Sequence, residues 1–154
     1  KYAVEFGIKA ERLIFINEAP EHITETACYQ LADLYLDTTF ISNIMQTIMS
    51  LSVNVPVLSY FGNRCQARGS AFILQSYNLN NLISHQHEEY IDIALELYNK
   101  PEKLQEIKTY LIENKINSDI FNPKKLMKHI ESSYSSMYDN HIHQLKKEDI
   151  IVSA

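Results

Sequence analysis

The chain has 154 residues, 45% of them hydrophobic, and a formal net charge of −5. That length and apolar content suit one α/β domain with a core of its own, and an acidic balance without a dense Lys/Arg block excludes a phosphate-tracking nucleic-acid binder, which needs clustered cations. No apolar run approaches the roughly 20 residues that span a bilayer, and the first residues lack the charged-then-apolar pattern of a secretory signal, so a cytoplasmic protein without membrane contact is expected.

Arg12 to Ile16 reads as a strand between turn signals at Gly7 and Pro20. Ile23, Ala27, Cys28 and Leu31 recur at helical spacing and predict a helix leading into a strand over Leu34 to Leu36. Asn43 has the character of an N-cap, with Gln46 three residues on, and Ile44, Ile48 and Leu51 line one face of the short helix it opens. A strand over Val55 to Tyr60 ends at Gly62; a helix near Arg64 to Tyr77 and a short strand at Asn81 to Ser84 follow. The remainder is helical. Tyr90, Ala94, Leu97 and Tyr98 mark one apolar stripe, and Pro101 opens the next helix, with Leu104, Ile107, Leu111 and Ile112 expected inside and Asn114 at its end. Asn122 and Pro123 supply a cap and a first-turn proline for a long last helix, whose Leu126, Ile130, Tyr134, Met137 and Tyr138 form a stripe expected in the core. The polar tail after Tyr138 is expected to fray. Short strands alternating with helices imply a parallel sheet with right-handed crossovers, four strands in all.

Within that order, Ala32 to Tyr60 is one strand, helix, strand unit, and the loop after its first strand is the usual place for an anionic ligand, because backbone N–H groups and the helix dipole point there. Function is therefore sought between Asp37 and Gln46. Asp37 is either a ligand-side carboxylate or a turn former and cap. Arg68 is expected to serve mainly as a structural ion-pair partner, and Cys28 and Cys65 as reduced packing residues without metal or redox spacing. His85 with His87 and His141 with His143 are close pairs but lack carboxylate or cysteine neighbours at ligand spacing, so no metal site is expected. A Gly-x-Ser-x-Gly elbow is missing, and three glycines in the whole chain exclude a Gly-x-Gly-x-x-Gly phosphate loop.

The residues resemble a family. Glu11-Arg12-Leu13-Ile14-Phe15, Gln30 to Leu34 with Leu36-Asp37-Thr38, Val55-Pro56-Val57, and Gly62 with Gln66-Ala67-Arg68 and Ala71 stand in the order found in the C-terminal catalytic half of protein O-linked N-acetylglucosamine transferases and the related O-fucosyltransferases. Leu82-Ile83, Glu88-Glu89-Tyr90, Pro101 to Leu104 and the helix from Phe121 to Tyr134 extend the likeness over nearly the whole chain. The resemblance implies an α/β Rossmann-like domain of a GT-B glycosyltransferase, truncated at its N-terminal edge, with residues 1–140 on the donor side and 141–154 as a tail. It also implies transfer of a sugar from a nucleotide-sugar donor, most simply UDP-N-acetylglucosamine, to Ser or Thr of a protein acceptor, with inversion and without a metal or other cofactor. The family's catalytic residues and tetratricopeptide repeats lie in a preceding half outside this chain, so no catalytic residue is assigned here and the piece alone is expected to be inactive.

Carried over by position, the donor-binding residues are Ala19 and Pro20 beside the base, with Thr38, Ser42, Asn43, Ile44, Met45 and Gln46 around the diphosphate. The chain departs from the family where the chemistry is. After Leu-Asp-Thr the family usually has Asn-Gly, then Gly or His, then Thr-Thr; here Ser42-Asn43-Ile44-Met45-Gln46 stands instead, Met49 replaces an acidic residue near the ribose, and Glu21 replaces a common Lys. The bulk of Ile44 and Met45 is expected to crowd the phosphate. His22 inherits no role, because the family's His-x-x-Arg pattern is out of register. The alternatives are a non-catalytic pseudoglycosyltransferase acting as an interaction module, and a transferase using another donor such as a guanosine diphosphate sugar.

Overall fold

The computed structural model describes residues 2–16, 25–115, 118–146 and 148–152. A parallel sheet of order β1-β2-β3 sits at its centre, built from Tyr35–Leu36 (β1), Val57–Tyr60 (β2) and Ile83–Ser84 (β3). Tyr35 is in register with Val57 and Leu36 with Leu58, while Ser59 pairs with Ile83 and Tyr60 with Ser84. Each crossover carries a helix, as parallel pairing requires: α3 (Ile44–Ser52) joins β1 to β2, and α4 (Gly69–Ser76) joins β2 to β3. Two short helices, α1 (Tyr2–Glu5) and α2 (Glu25–Tyr29), precede the sheet; α5 (His87–Asn99), α6 (Pro101–Asn114) and α7 (Pro123–Ile142) follow it. The expected fold class, an α/β Rossmann-like sheet with flanking helices, stands.

The core gathers Leu51, Val57, Ala71, Leu74, Leu82, Ile83, Leu97, Ile107 and Leu111 between the sheet and the helices around it. Strand β2 is the middle strand and is covered on both faces, which is why Val57, Leu58 and Ser59 are all fully buried rather than alternating. Helices α3 and α4 end alike. Asn54 and Asn78 take φ of 64° and 57° one residue past the helix cap, and the following amides, of Val55 and Leu79, reach back to the Ser50 and Leu74 carbonyls. These are Schellman closures with asparagine in the left-handed position that glycine usually fills. Each turns the chain directly toward the next strand.

Several expectations are corrected. Arg12 to Ile16 is not a strand: a single 3-10 turn covers Ala10–Arg12, and Ile14 and Phe15 stand 85% and 81% exposed. A strand exists only against a neighbour that accepts its hydrogen bonds, and none lies beside these residues among those described. The described sheet thus has three strands rather than four. The predicted strand from Asn81 begins as a 3-10 turn, Asn80–Leu82, and the helix predicted from Arg64 is a 3-10 turn, Cys65–Ala67, followed by α4. Ile112 and Tyr98 are exposed, not buried.

The largest correction concerns α7. Its cap is as predicted, with the Asn122 side chain accepting from the Lys125 amide and Pro123 in the first turn. Yet no residue of α7 is buried, and Leu126, Tyr134, Met137 and Tyr138 are exposed. The helix does not fray after Tyr138 but runs to Ile142, where Gln144 at φ 50° and the Leu145 amide on the Asn140 carbonyl close it. Cys65 is also exposed instead of packed; Cys28 is half-buried, and neither is bridged.

Candidate functional site

The loop between β1 and α3 is assembled around Asp37, which is 2% exposed. Strand pairing places it, since its amide donates to the Leu58 carbonyl at 3.0 Å. Its carboxylate then accepts from the Asn43 amide at 3.1 Å and from the Ser59 hydroxyl at 2.9 Å, and its carbonyl accepts from the Tyr90 hydroxyl at 2.9 Å. Asp37 is therefore the turn former and not a free ligand carboxylate. A buried charge is tolerable here because both oxygens are hydrogen-bonded.

Asn43 caps α3 as the sequence predicts, its side chain accepting from the Gln46 amide at 3.1 Å. The Asn43 amide is taken by Asp37 and the Thr47 amide by the Asn43 carbonyl. The Ile44 and Met45 amides have no partner among the described residues, so two N–H groups of the first turn are left to point outward at the positive end of the helix dipole. Ser42 is buried and faces inward: its amide and hydroxyl both donate to the Gln66 carbonyl, at 2.8 and 3.0 Å, and its oxygen accepts from the Ser70 amide at 3.4 Å. Gln46 is turned aside, with its side-chain oxygen accepting from the Tyr35 hydroxyl at 2.7 Å. Thr38 is exposed and bonds the Ile41 carbonyl, while Met45 is 64% exposed.

The structure thus brings Thr38, Ser42, Asn43, Ile44, Met45 and Gln46 together at the carboxyl end of β1. The amides of Ile44 and Met45 stand free as donors at the helix N-terminus, whereas the Ser42 hydroxyl is spent on the Gln66 carbonyl and the side-chain oxygens of Asn43 and Gln46 accept within the fold. Ala19 and Pro20, with Glu21 and His22, lie outside the described residues. Burial raises the Tyr35 and Tyr90 hydroxyls to about 12, helped by the Asp37 charge close to both, so they stay protonated as donors to the loop. Sequence reasoning missed Tyr90, placed on a packing stripe, and Ser59. No local pattern marks either, because their partner is 53 or 22 residues away.

Beside the loop, the carboxyl ends of β2 and β3 carry a ring cluster. His87 stacks on Tyr60 with centroids 4.6 Å apart, and His85 lies 5.3 Å from Phe61. Arg68 was expected to be an ion-pair partner, but among the described residues it donates to the Gly62 and Asn63 carbonyls, each at 2.7 Å, and lies 5.0 Å over the Phe61 ring. No group of His, Cys, Asp or Glu among the described residues could hold a metal ion. A cleft between α5 and α6, lined by Leu34, Leu97 and Leu104, opens at the amino end of β1. That is the wrong end for a ligand of an open parallel sheet, which binds outside the carboxyl ends.

Residues 1–130 match the model of glycosyl transferase family 41. The chain belongs to this family. Among its relatives, the probable UDP-N-acetylglucosamine–peptide N-acetylglucosaminyltransferase SPINDLY of Hordeum vulgare is 25% identical over 87% of this chain and 14% of its own length. The probable enzyme of that activity named SEC in Arabidopsis thaliana is 28% identical over 91% of this chain and, again, 14% of its own length. A solved structure of a Thermobaculum terrenum O-GlcNAc transferase mutant superposes with a TM-score of 0.77 at 28% identity, covering 89% of this chain and 26% of that one. The family 41 chain thus spans about a sixth or less of the curated relatives' length. No helix among the described residues is long and apolar enough to cross a membrane.

Proposed function

We propose that this family 41 chain is the donor-binding part of a cytoplasmic, inverting O-linked N-acetylglucosamine transferase, with residues 1–140 on the donor side, 141–154 as a tail, and UDP-N-acetylglucosamine as the donor. The observation that carries the reading is the loop after β1: a buried Asp37 and the Asn43 cap hold it in shape while leaving the Ile44 and Met45 amides unpartnered. Two outward amides at a helix N-terminus suit a diphosphate. The Asp37 charge at the cap offsets part of the helix dipole, and no cation stands beside these amides in the hydrogen bonds described, so a weak grip on the phosphates is expected. The base would lie toward Ala19 and Pro20. A protein Ser or Thr is the acceptor, in keeping with the peptide transferase activity in the relatives' names.

On this reading the chain supplies binding and orientation, and needs no metal. Catalytic groups and tetratricopeptide repeats come from a preceding half of the intact protein, and this piece alone transfers no sugar. Calorimetry on the intact protein with uridine diphosphate and guanosine diphosphate tests it: uridine diphosphate should bind, and more tightly than the guanosine nucleotide. Replacing Asn43-Ile44-Met45-Gln46 by Gly-His-Thr-Thr should tighten binding by about one to two orders of magnitude for each charge-assisted hydrogen bond it adds to the phosphates. Binding of neither nucleotide by the intact protein would overturn the reading and leave a glycosyltransferase fold without a donor.

A further inference from the structure

Gly69 is one of three glycines in the chain and opens α4. Its φ is not in the left-handed region, so backbone conformation does not demand glycine there. The demand is for space. A Cβ at Gly69 would stand 2.5 and 2.6 Å from Cγ1 and Cδ1 of Ile44, and 3.1 Å from the Ser42 hydroxyl. Ile44 is thus not directed only outward: its side chain lies on the bare backbone of α4. The surrounding bonds leave it little room to retreat. One residue before it, Asn43 is tied to Asp37; one turn after it, the Thr47 hydroxyl donates at 2.7 Å to the hydroxyl of Ser70, the residue following Gly69, and both are fully buried.

We propose that Gly69 is a positioning residue for the donor loop: it is the seat of Ile44, and this size-matched pair fixes the amino end of α3 and the two free amides there. The inference rests on the donor-site reading above and deepens it. It gives a physical reason why a branched aliphatic residue is accepted at position 44, where the family resemblance leads one to expect glycine or histidine. The bulk is received by α4, at a point where α4 has no side chain.

The test uses the intact protein with Gly69→Ala, Ile44→Ala and the double variant, read by hydrogen exchange of the Gln46 and Thr47 amides, which are bonded to Asn43, and by uridine diphosphate calorimetry. Gly69→Ala should speed exchange and weaken nucleotide binding by about tenfold each, as overpacking at a close contact displaces the helix end. Adding Ile44→Ala should restore both to within about threefold of the parent. Should Gly69→Ala fail to fold, recovery of folding in the double variant supports the pair and failure to recover overturns it. Unchanged exchange in Gly69→Ala, or no rescue, overturns the pair as well. Altered exchange with unaltered nucleotide binding overturns the positioning role. If the parent binds no nucleotide, the donor reading falls, and exchange alone decides whether the pair is coupled.

Discussion

The sheet with α3 and α4 and the last helix α7 are opposites in what they bury. In the first region the fully buried side chains include Thr47, Ser50, Ser59, Ser70 and Ser84; in α7 the outward ones include Leu126, Tyr134, Met137 and Tyr138. Small hydroxyl residues let α3, α4 and the strands approach closely, and most find a partner there, as Thr47 does with Ser70 and Ser59 with Asp37. Apolar periodicity in α7 makes an amphipathic helix but supplies nothing to cover it. Hydrophobic pattern specifies that a face seeks burial; only a neighbour decides whether it is buried.

The sharpest way to break this comparison is to truncate one large side chain in each region of the isolated chain. Leu58→Ala, in the covered middle strand, should cost about 2 to 5 kcal/mol in urea denaturation, whereas Tyr134→Ala should cost about 0.5 kcal/mol or less. Equal losses would put α7 in the core after all. A larger Tyr134→Ala loss in the intact protein than in the chain alone would show that another part of the protein covers this face.

Asp37→Ala comes next, because it leaves the Asn43 amide and the Ser59 hydroxyl without their acceptor in a buried site. A loss of about 3 kcal/mol is expected, since hydrogen bonds to a charged group are the stronger kind. Ser59→Ala should cost less, as it removes one donor and leaves the other in place. The two caps give a finer comparison. Asn43→Ala and Asn122→Ala each remove one side-chain acceptor from a helix N-terminus, worth about 1 kcal/mol apiece. Only Asn43→Ala should also weaken uridine diphosphate binding, which calorimetry on both variants would show.

The last effect appears only in alkali. Tyr35 and Tyr90 have folded-state values raised to about 12, by burial first and by Asp37 second. A raised value means the folded state holds its proton longer than the unfolded chain, whose tyrosines titrate near 10, so stability is intact below about pH 10 and falls as pH rises toward 12. Tyr35→Phe and Tyr90→Phe should flatten that fall in denaturation series at increasing pH. An unchanged slope in both variants would show that neither hydroxyl is held as the loop geometry requires.

What the sequence alone determined was local: the caps at Asn43 and Asn122, the first-turn prolines, the limits of α6, and the strand, helix, strand order that puts a loop after Asp37. Each follows from residues within a few positions of one another, where side-chain and backbone preferences act without a partner. Family membership was legible for a related reason, since order and spacing of short runs survive in the chain itself. Tertiary structure alone decided the rest. Leu13 to Ile16 has strand composition, but no neighbour among the described residues accepts its hydrogen bonds. The stripe of α7 has core composition without a covering surface. The serines of the centre look polar in sequence, yet they are inside because their hydroxyls meet partners far along the chain. Nothing in the sequence singles out Gly69, and its place is clear only when Ile44 is seen against it. Burial and site geometry are properties of pairs of distant residues, and a pattern along one strand or helix carries only half of each pair.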